Sequence, residues 1–266
     1  MQFRTSHISS LHAVVVAFGV ALGIGSVSGT VAAAGQVDPE ADKILKSMST
    51  YMGGLTAFSV NIEVDNEIVD LTGRKLQFSA STSLVAQRPE NLYVHRRGPV
   101  ADVELIFDGK MLTVNGKGLN VYAQMETLGS NEDAVRQVRI ETGLDVPAGD
   151  LLFTDSYTGL MEGVVSGDYI GTGFVNGVEC QHLAFRQAKV DWQLWIQSGD
   201  TPLPMKYIIT SKWVTGAPQY SARFHDWNTK PEIGSDRFVF SPPEGAKKLD
   251  EIPIDELGEL MLEGEQ

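Results

Sequence analysis

The stretch VDWQLWIQSGDTPLPMKYIITSK, residues 190–212, constrains the fold of this chain more than any other segment. From Val190 to Ile196 apolar side chains alternate with polar ones, and the alternation resumes after Ser198-Gly199-Asp200. A period of two residues is typical of a β-strand with one buried face. The stretch therefore predicts a β-hairpin whose apolar face has to be covered by other elements.

Alternation elsewhere predicts a chain that is mainly β, of the α+β class. The dipeptides Asp108-Gly109, Asn115-Gly116 and Asn176-Gly177 predict tight hairpin turns, because the favoured turns need positive φ at their central residues. Helical spacing follows Asp38-Pro39, which predicts an N-terminal helix. Ser130 with Asp133 resembles a capping box and predicts a helical insert over residues 130–163.

The N-terminal segment points to export. Residues 1–12 hold one Arg and no acid, residues 13–24 are apolar, and Ala32-Ala33-Ala34 precede Gly35. This order predicts a cleaved secretory signal peptide over residues 1–34 and a periplasmic protein. The apolar run is shorter than the roughly 20 residues that span a bilayer, so no stable membrane anchor is expected. Because Cys180 is the only cysteine, neither an N-terminal lipid nor an internal disulfide is expected.

Composition excludes some classes of partner. The chain has 21 Lys and Arg against 34 Asp and Glu, a net charge of −13, which argues against nucleic acid and against docking on anionic lipid. With 42% hydrophobic residues it can bury one sizeable core, so residues 35–248 are predicted to form a single domain. Residues 249–266 carry seven acids and no base, and they are interpreted as an acidic tail.

Candidate catalytic residues are few. Cys180 and His182 are two apart on a predicted strand and share a face, but neither a second pair of metal ligands nor a Cys-x-x-Cys accompanies them. A buried Cys beside a hydrogen-bonded His is the favoured interpretation. The adjacent His225 and Asp226 are expected to face opposite sides of a strand. With no phosphate-binding glycine loop and no Gly-x-Ser-x-Gly, the chain is predicted not to be an enzyme and to bind no metal or cofactor.

Aromatic and basic side chains leave two alternatives open. Trp192, Trp195, Trp213 and Trp227 either contact a sugar or lipid or pack within the fold, and packing is favoured. Arg96 and Arg97 either meet an anionic headgroup or form a solvated strand face, which is again favoured.

Several short motifs resemble those of a known family. They are Arg88-Pro89 with Leu92, Phe107-Asp108-Gly109-Lys110, Asn120, Tyr122-Ala123, Asn176-Gly177-Val178, Cys180, His182, Phe185-Arg186, Asp191-Trp192, Leu194-Trp195-Ile196, Leu203-Pro204, Phe240, Pro242-Pro243 and Gly245. Over nearly the whole mature chain the sequence resembles the predicted periplasmic proteins of domain of unknown function 2092. That family is placed in the superfamily of the lipoprotein carriers LolA and LolB and the lipoprotein LppX.

The resemblance implies a curved, half-open antiparallel β-barrel, LolA-like, with an N-terminal helix and a helical lid over a cavity that holds acyl chains. The one-sided apolar sets would then line that cavity: Phe58, Val60, Ile62, Val64, Leu76, Phe78, Leu92, Val94, Trp192, Leu194 and Ile196. The lid would contribute Val135, Val138, Leu151, Leu152, Leu160 and Met161. The same faces serve equally well as a solid core.

Two functions are compatible with this fold. The first is a periplasmic binding or carrier protein for a hydrophobic ligand, such as a lipid or the acyl chains of a lipoprotein. The second is a non-enzymatic envelope interaction or sensor module that binds a partner protein on its curved sheet. A carrier requires apolar residues on the inner side of the lid, and the lid residues above meet that requirement.

Overall fold

The computed structural model describes residues 36–99, 102–142 and 148–250 of the chain. The predicted signal peptide (1–34) and nearly all of the predicted acidic tail, from residue 251 onward, lie outside these ranges. The described helices are α1 (Pro39–Gly54), α2 (Asn131–Thr142), a 3-10 helix (Gly149–Leu152) and α3 (Ser156–Met161). The strands are β1 (Ala57–Val69), β2 (Lys75–Gln87), β3 (Asn91–Arg97), β4 (Asp102–Phe107), β5 (Met111–Gly116), β6 (Val121–Glu126), β7 (Val164–Val175), β8 (Val178–Gln187), β9 (Val190–Gln197), β10 (Pro204–Ser211), β11 (Gln219–Asn228) and β12 (Lys247–Leu249).

All strands of the described ranges belong to one open, curved sheet of twelve strands. Their order is β12-β6-β5-β4-β3-β2-β1-β11-β10-β9-β8-β7, so β12 and β7 are its two edges. Only β12 pairs in parallel, with β6. The mainly β fold class is confirmed. Among the described residues, no helix has both the length and the apolar character required to cross a membrane.

The predicted hairpin at residues 190–212 is confirmed as β9 and β10. Trp192 pairs with Ile209 and Leu194 with Tyr207, so the apolar positions of both strands share one face. The turn predicted at Asn115-Gly116 is wrong by a few residues, because both belong to β5 and the chain reverses at residues 117–120. The buried Asn115 amide donates to the Glu104 carboxylate (2.9 Å), which holds this residue in the sheet.

Helix ends follow the predicted capping residues. The Asp38 carboxylate accepts from the Glu40 amide (2.8 Å) at the start of α1, with Pro39 in the first turn. In the predicted capping box, the Asp133 carboxylate accepts from the Ser130 amide (2.9 Å), and the Ser130 hydroxyl accepts from the Asp133 amide (3.2 Å). These caps fix where both helices begin.

The hydrophobic core lies between the helices and one face of the sheet, the concave face. On α1 the buried residues Leu45, Met48 and Met52 belong to this core. The start of α1 is tied to β7, where the Asp38 amide donates to the Gly167 carbonyl (2.8 Å). The helices therefore cover part of the concave face, and the extent of that cover determines which positions a ligand can reach.

Candidate ligand-binding face

Most of the predicted cavity lining is buried beneath the helices. Eight of the eleven residues belong to one apolar core cluster with α1: Phe58, Val60, Ile62, Val64, Leu92, Trp192, Leu194 and Ile196. Trp192, 2% exposed, stacks on Phe185 with ring centroids 4.2 Å apart, and Tyr207 meets it edge-on at 5.9 Å. These eight positions form the floor of the concave face.

The predicted lid residues lie on the other side of the same core. Val138, Leu151, Leu152 and Leu160 are buried within the cluster, and Val135 and Met161 are half-buried against it. The apolar side of the described part of the insert therefore faces the floor.

The remaining predicted lining residues, Leu76, Phe78 and Val94, are only half-buried. Leu76 and Phe78 lie on a projecting part of the β1–β2 hairpin. β2 pairs with β3 only as far as Ser81, opposite Arg97, and β1 pairs with β11 only as far as Asn66. Residues 67–80 thus extend past both neighbouring strands, and we call them the hairpin arm.

One side of the hairpin arm is apolar. Ile68 of β1 pairs with Leu76 of β2, and Phe78 lies two residues further along β2 on the same face. The floor residue Val64 lies on this face as well. None of the three belongs to the core cluster of the described residues, and all three are half-buried. The opposite face carries Glu67 and Lys75, paired at 3.0 Å. The arm therefore presents an apolar strip, Ile68, Leu76 and Phe78, on the concave side beyond the helices.

Arg88 fastens the helices to the sheet, a role that sequence reasoning missed. Its guanidinium donates to the carbonyls of Met52 (2.7 Å) in the last turn of α1, of the C-cap residue Leu55 (2.8 Å) and of Leu152 in the insert. Burial lowers the pKa of this guanidinium. Because the partners are backbone carbonyls distant in sequence, no side-chain pattern marks them. The only sequence signal for this role was that Arg88 belongs to one of the motifs shared with the family.

Further polar contacts hold the insert. The side-chain amide nitrogen of Asn131 donates to the backbone carbonyl of Asn91 (3.0 Å), which ties α2 to β3. The Glu132 carboxylate accepts from both the amide and the hydroxyl of Thr154, at 2.8 and 2.7 Å. These contacts lie at the closed end of the concave face, opposite the hairpin arm.

Cys180 and His182 have partners that account for them without catalysis. The buried Cys180 thiol donates to the Val178 carbonyl (3.4 Å), and burial raises its pKa. His182 interacts with the Gln193 side chain (2.9 Å) and stacks on Trp195, and burial lowers its pKa. Among the described residues, no three His, Cys, Asp or Glu side chains are grouped as metal ligands.

We expect Cys180 to react slowly with a thiol reagent at neutral pH in the native state. The thiolate is the reactive form, and both burial and the raised pKa keep its population low. Labelling followed by mass spectrometry measures the rate, with urea-unfolded protein as the fast control. Equal rates in the two states would contradict the burial of this thiol.

The expectation that His225 and Asp226 face opposite ways is wrong. Asp226 has a positive φ of 53°, and the β1–β11 register shifts at this point, so the carboxylate turns back to His225 Nδ1 (2.8 Å). The Asn61 amide and His225 lower the pKa of Asp226. The other ring nitrogen lies 3.7 Å from Glu63. With a carboxylate near each nitrogen, the imidazole is engaged on both sides, unlike a general base that has one nitrogen facing its nucleophile.

The four tryptophans are dispersed. Trp192 is in the core, Trp195 lies on the opposite, convex face, Trp227 donates to the Pro204 carbonyl (3.0 Å), and Trp213 is 48% exposed in the β10–β11 turn. They do not form one stacking platform, and three of them pack within the fold as favoured.

A groove of about 350 Å³ lies beside α1 and the 154–157 segment. Its polar groups are engaged with one another: Ser49 accepts from the Tyr157 amide (3.0 Å), the Tyr157 hydroxyl donates to Asp42, and Lys46 pairs with Asp42 (2.7 Å). The concave face is the better candidate for an apolar ligand.

Solved structures similar to this chain share little sequence with it. LprF from Mycobacterium bovis has 16% identity and a TM-score of 0.48, over 76% of this chain and 99% of LprF. LppX from Mycobacterium tuberculosis has 14% identity and a TM-score of 0.39, over 74% and 100%. MucB in the Pseudomonas aeruginosa MucA/MucB complex has 15% identity and a TM-score of 0.43, over 76% and 61%.

No curated protein matches the chain closely enough to count as a relative. A family profile does match, over residues 41–251, and its description is "Predicted periplasmic protein (DUF2092)". The match covers most of the chain and confirms both the resemblance seen in the motifs and the periplasmic location. The chain belongs to this family of predicted periplasmic proteins.

Proposed function

We propose that this protein is a non-enzymatic periplasmic binding or carrier protein for a hydrophobic ligand, either a lipid or the acyl chains of a lipoprotein. The apolar strip of the hairpin arm carries the proposal. Ile68, Leu76 and Phe78 continue the buried floor past the helices, yet they are only partly buried. Apolar surface left in this way on one side of a curved sheet is typical of a ligand-binding face.

The chemistry of the strip favours acyl chains. Each Å² of apolar surface removed from water contributes about 25 cal/mol, so affinity comes from chain length more than from a headgroup. Arg96 lies on the same face, since it pairs with Thr82, which lies across from Ile62. An anionic headgroup would meet this cation while the acyl chains lie along the strip.

The proposed binding path runs from the strip toward the floor. The eight buried lining residues are reached only when α1 and the helices of the insert move away from them, and a bound acyl chain would replace the contacts that these helices make now. The strip is the entry, where the first part of the ligand binds without any movement of the helices.

We expect Phe78→Glu to reduce uptake of a fluorescent fatty acid severely, because a bound acyl chain would bury the new carboxylate without a partner. Gln77→Glu is the matched control, since Gln77 precedes Phe78 on the opposite, exposed face and receives the same charge. Phe78 is a better test position than Ile62 because it is only partly buried. Ile62→Glu would place a charge in the core and is expected to unfold the protein. Equal uptake by both folded variants would remove the strip from the binding path.

Partner binding on the curved sheet is the second candidate, and edge strand β7 favours it. Val165, Ile170 and Phe174 are 51%, 55% and 72% exposed there. Apart from the bridge between Gly167 and Val37, β7 has no strand on its outer side within the described ranges. Such an edge accepts an added strand. Wild-type protein that takes up no acyl probe and carries no extractable lipid would make this candidate the better account.

A further inference from the structure

The hairpin turns at one end of the sheet bring apolar and basic residues together. The turns 70–74, 117–120, 188–189 and 212–218 all lie at the end toward which the hairpin arm projects, as the strand registers require. We call these four turns the hairpin rim. Three of them expose a large apolar side chain: Leu71 (101%), Leu119 (50%) and Trp213 (48%).

The tip of the arm is an ordered structure. The Asp70 carboxylate accepts from the amides of Thr72 (2.9 Å) and Arg74 (3.0 Å) and from the Thr72 hydroxyl. These bonds close the turn with Leu71 pointing fully into solvent. The 212–218 turn lies against the arm, since a Cβ at Gly216 would be 3.3 Å from Val69. Leu71 and Trp213 are therefore on neighbouring turns of the rim.

The charge of the rim differs from that of the chain. Its four turns hold four basic residues (Arg74, Lys117, Lys189 and Lys212) and one acid (Asp70), a net charge of +3 within a chain of −13. The connections that precede β7 and β12 lie at the same end and add Glu162 and Glu244, which leaves this end at +1. The turns at the opposite end, residues 55–56, 88–90, 108–110, 127–130, 176–177 and 198–203, hold two basic residues and three acids, a net charge of −1. The rim thus combines positive charge with three exposed apolar side chains.

Three of the rim cations form ion pairs with carboxylates. Arg74 pairs with Asp70 (3.0 Å), Lys117 with Glu104 (3.1 Å) and Lys212 with Asp191 (2.8 Å). These pairs hold three of the four cations at the rim, and Lys189 adds one further positive charge. Acids more distant than these partners act weakly at this surface, because the Debye length is about 8 Å at physiological ionic strength.

We infer that the hairpin rim docks reversibly on the surface of an anionic phospholipid bilayer. Leucine and tryptophan at exposed turns insert at the level of the headgroups, and Lys and Arg around them are attracted to anionic lipid. Net charge alone argues against such a partner, but the distribution of the charge along the fold reverses that argument at this end. The docking does not depend on the proposed function, although it would bring the apolar strip of the arm next to the bilayer.

Flotation with vesicles tests the docking. The full chain is expressed and the protein is purified from periplasm, then mixed with vesicles of equal parts phosphatidylglycerol and phosphatidylcholine. We expect the Leu71→Ser/Trp213→Ser variant to reduce the bound fraction on the order of tenfold. Leu128→Ser is the matched control, since Leu128 is 83% exposed in the turn at the opposite end and should change nothing. In 1 M salt, where the Debye length is about 3 Å, binding of the wild type should fall.

A second variant tests the charge without touching the apolar tips. Lys189→Glu, at an exposed position, should lower binding and leave the melting temperature unchanged. Absence of wild-type binding to anionic vesicles, equal loss in Leu128→Ser, or undiminished binding of the double variant would each overturn the inference. Lipid extracted from the same preparations separates the two proposals, since a protein that carries lipid but ignores vesicles contradicts the docking alone.

Discussion

Replacing Trp192 by alanine is expected to lower the free energy of unfolding by about 3–5 kcal/mol. The indole is almost fully buried at the centre of the β9–β10 hairpin, stacked on Phe185 and edge-on to Tyr207. Alanine leaves a cavity that neighbours from several strands cannot close. Urea denaturation of the purified variant measures the loss.

Trp195→Ala is the matched control for this effect. Trp195 lies three residues away on the convex face, where it is half-buried, stacks on His182 (4.0 Å) and lies under the Lys206 ammonium (4.9 Å). Its removal should cost clearly less, because water fills the space. Equal losses, or a Trp192→Ala protein as stable as the wild type, would show that the hairpin does not anchor the core.

Arg88→Met is expected to lower the free energy of unfolding by about 3–5 kcal/mol, since the carbonyls of Leu55 and Leu152 would lose this donor and each buried carbonyl left unpaired costs about 1–3 kcal/mol. The Met52 carbonyl keeps the Leu55 amide as a donor. The guanidinium joins α1, through Met52 and Leu55, to the insert, through Leu152. Methionine fills much of the space but donates no hydrogen bond. The loss should therefore detach the insert from α1 as well as destabilise the fold.

Arg88→Lys separates geometry from charge. An ammonium lacks the planar fork that reaches carbonyls in two different elements, so this variant should show an intermediate loss. Arg186→Met, at an exposed position, controls for the removal of one positive charge. Amide hydrogen exchange within residues 149–161 reports whether the insert loosens. A stable Arg88→Met protein with unchanged exchange there would contradict the fastening role.

The sheet was predictable from sequence wherever one face is buried along a whole strand. Alternation predicted β1, β2, β9 and β10, because each has a continuous apolar face. It could not predict where the helices stop covering that face, since Phe78 and Ile62 occupy equivalent positions in the pattern. Only the register of β2 against β3 and the position of the core distinguish the two.

Local signals failed where a side chain or a bulge overrode them. Asn115-Gly116 has the composition of a tight turn, but the Asn115 amide is satisfied by Glu104 inside the sheet. His225 and Asp226 alternate in sequence, but positive φ at Asp226 rotates its carboxylate to the histidine. Arg88 could not be paired from the sequence, because two of its acceptors are carbonyls 36 and 64 residues away.

Native mass spectrometry of the protein purified from periplasm, with lipid extraction of the same sample, tests the central claim of a hydrophobic ligand most directly. The wild type and Gln77→Glu are expected to carry acyl lipid, released as a discrete mass on activation, and Phe78→Glu is expected to carry much less while remaining folded. A wild-type protein that shows only the mass of its polypeptide and yields no extractable lipid would contradict the carrier function.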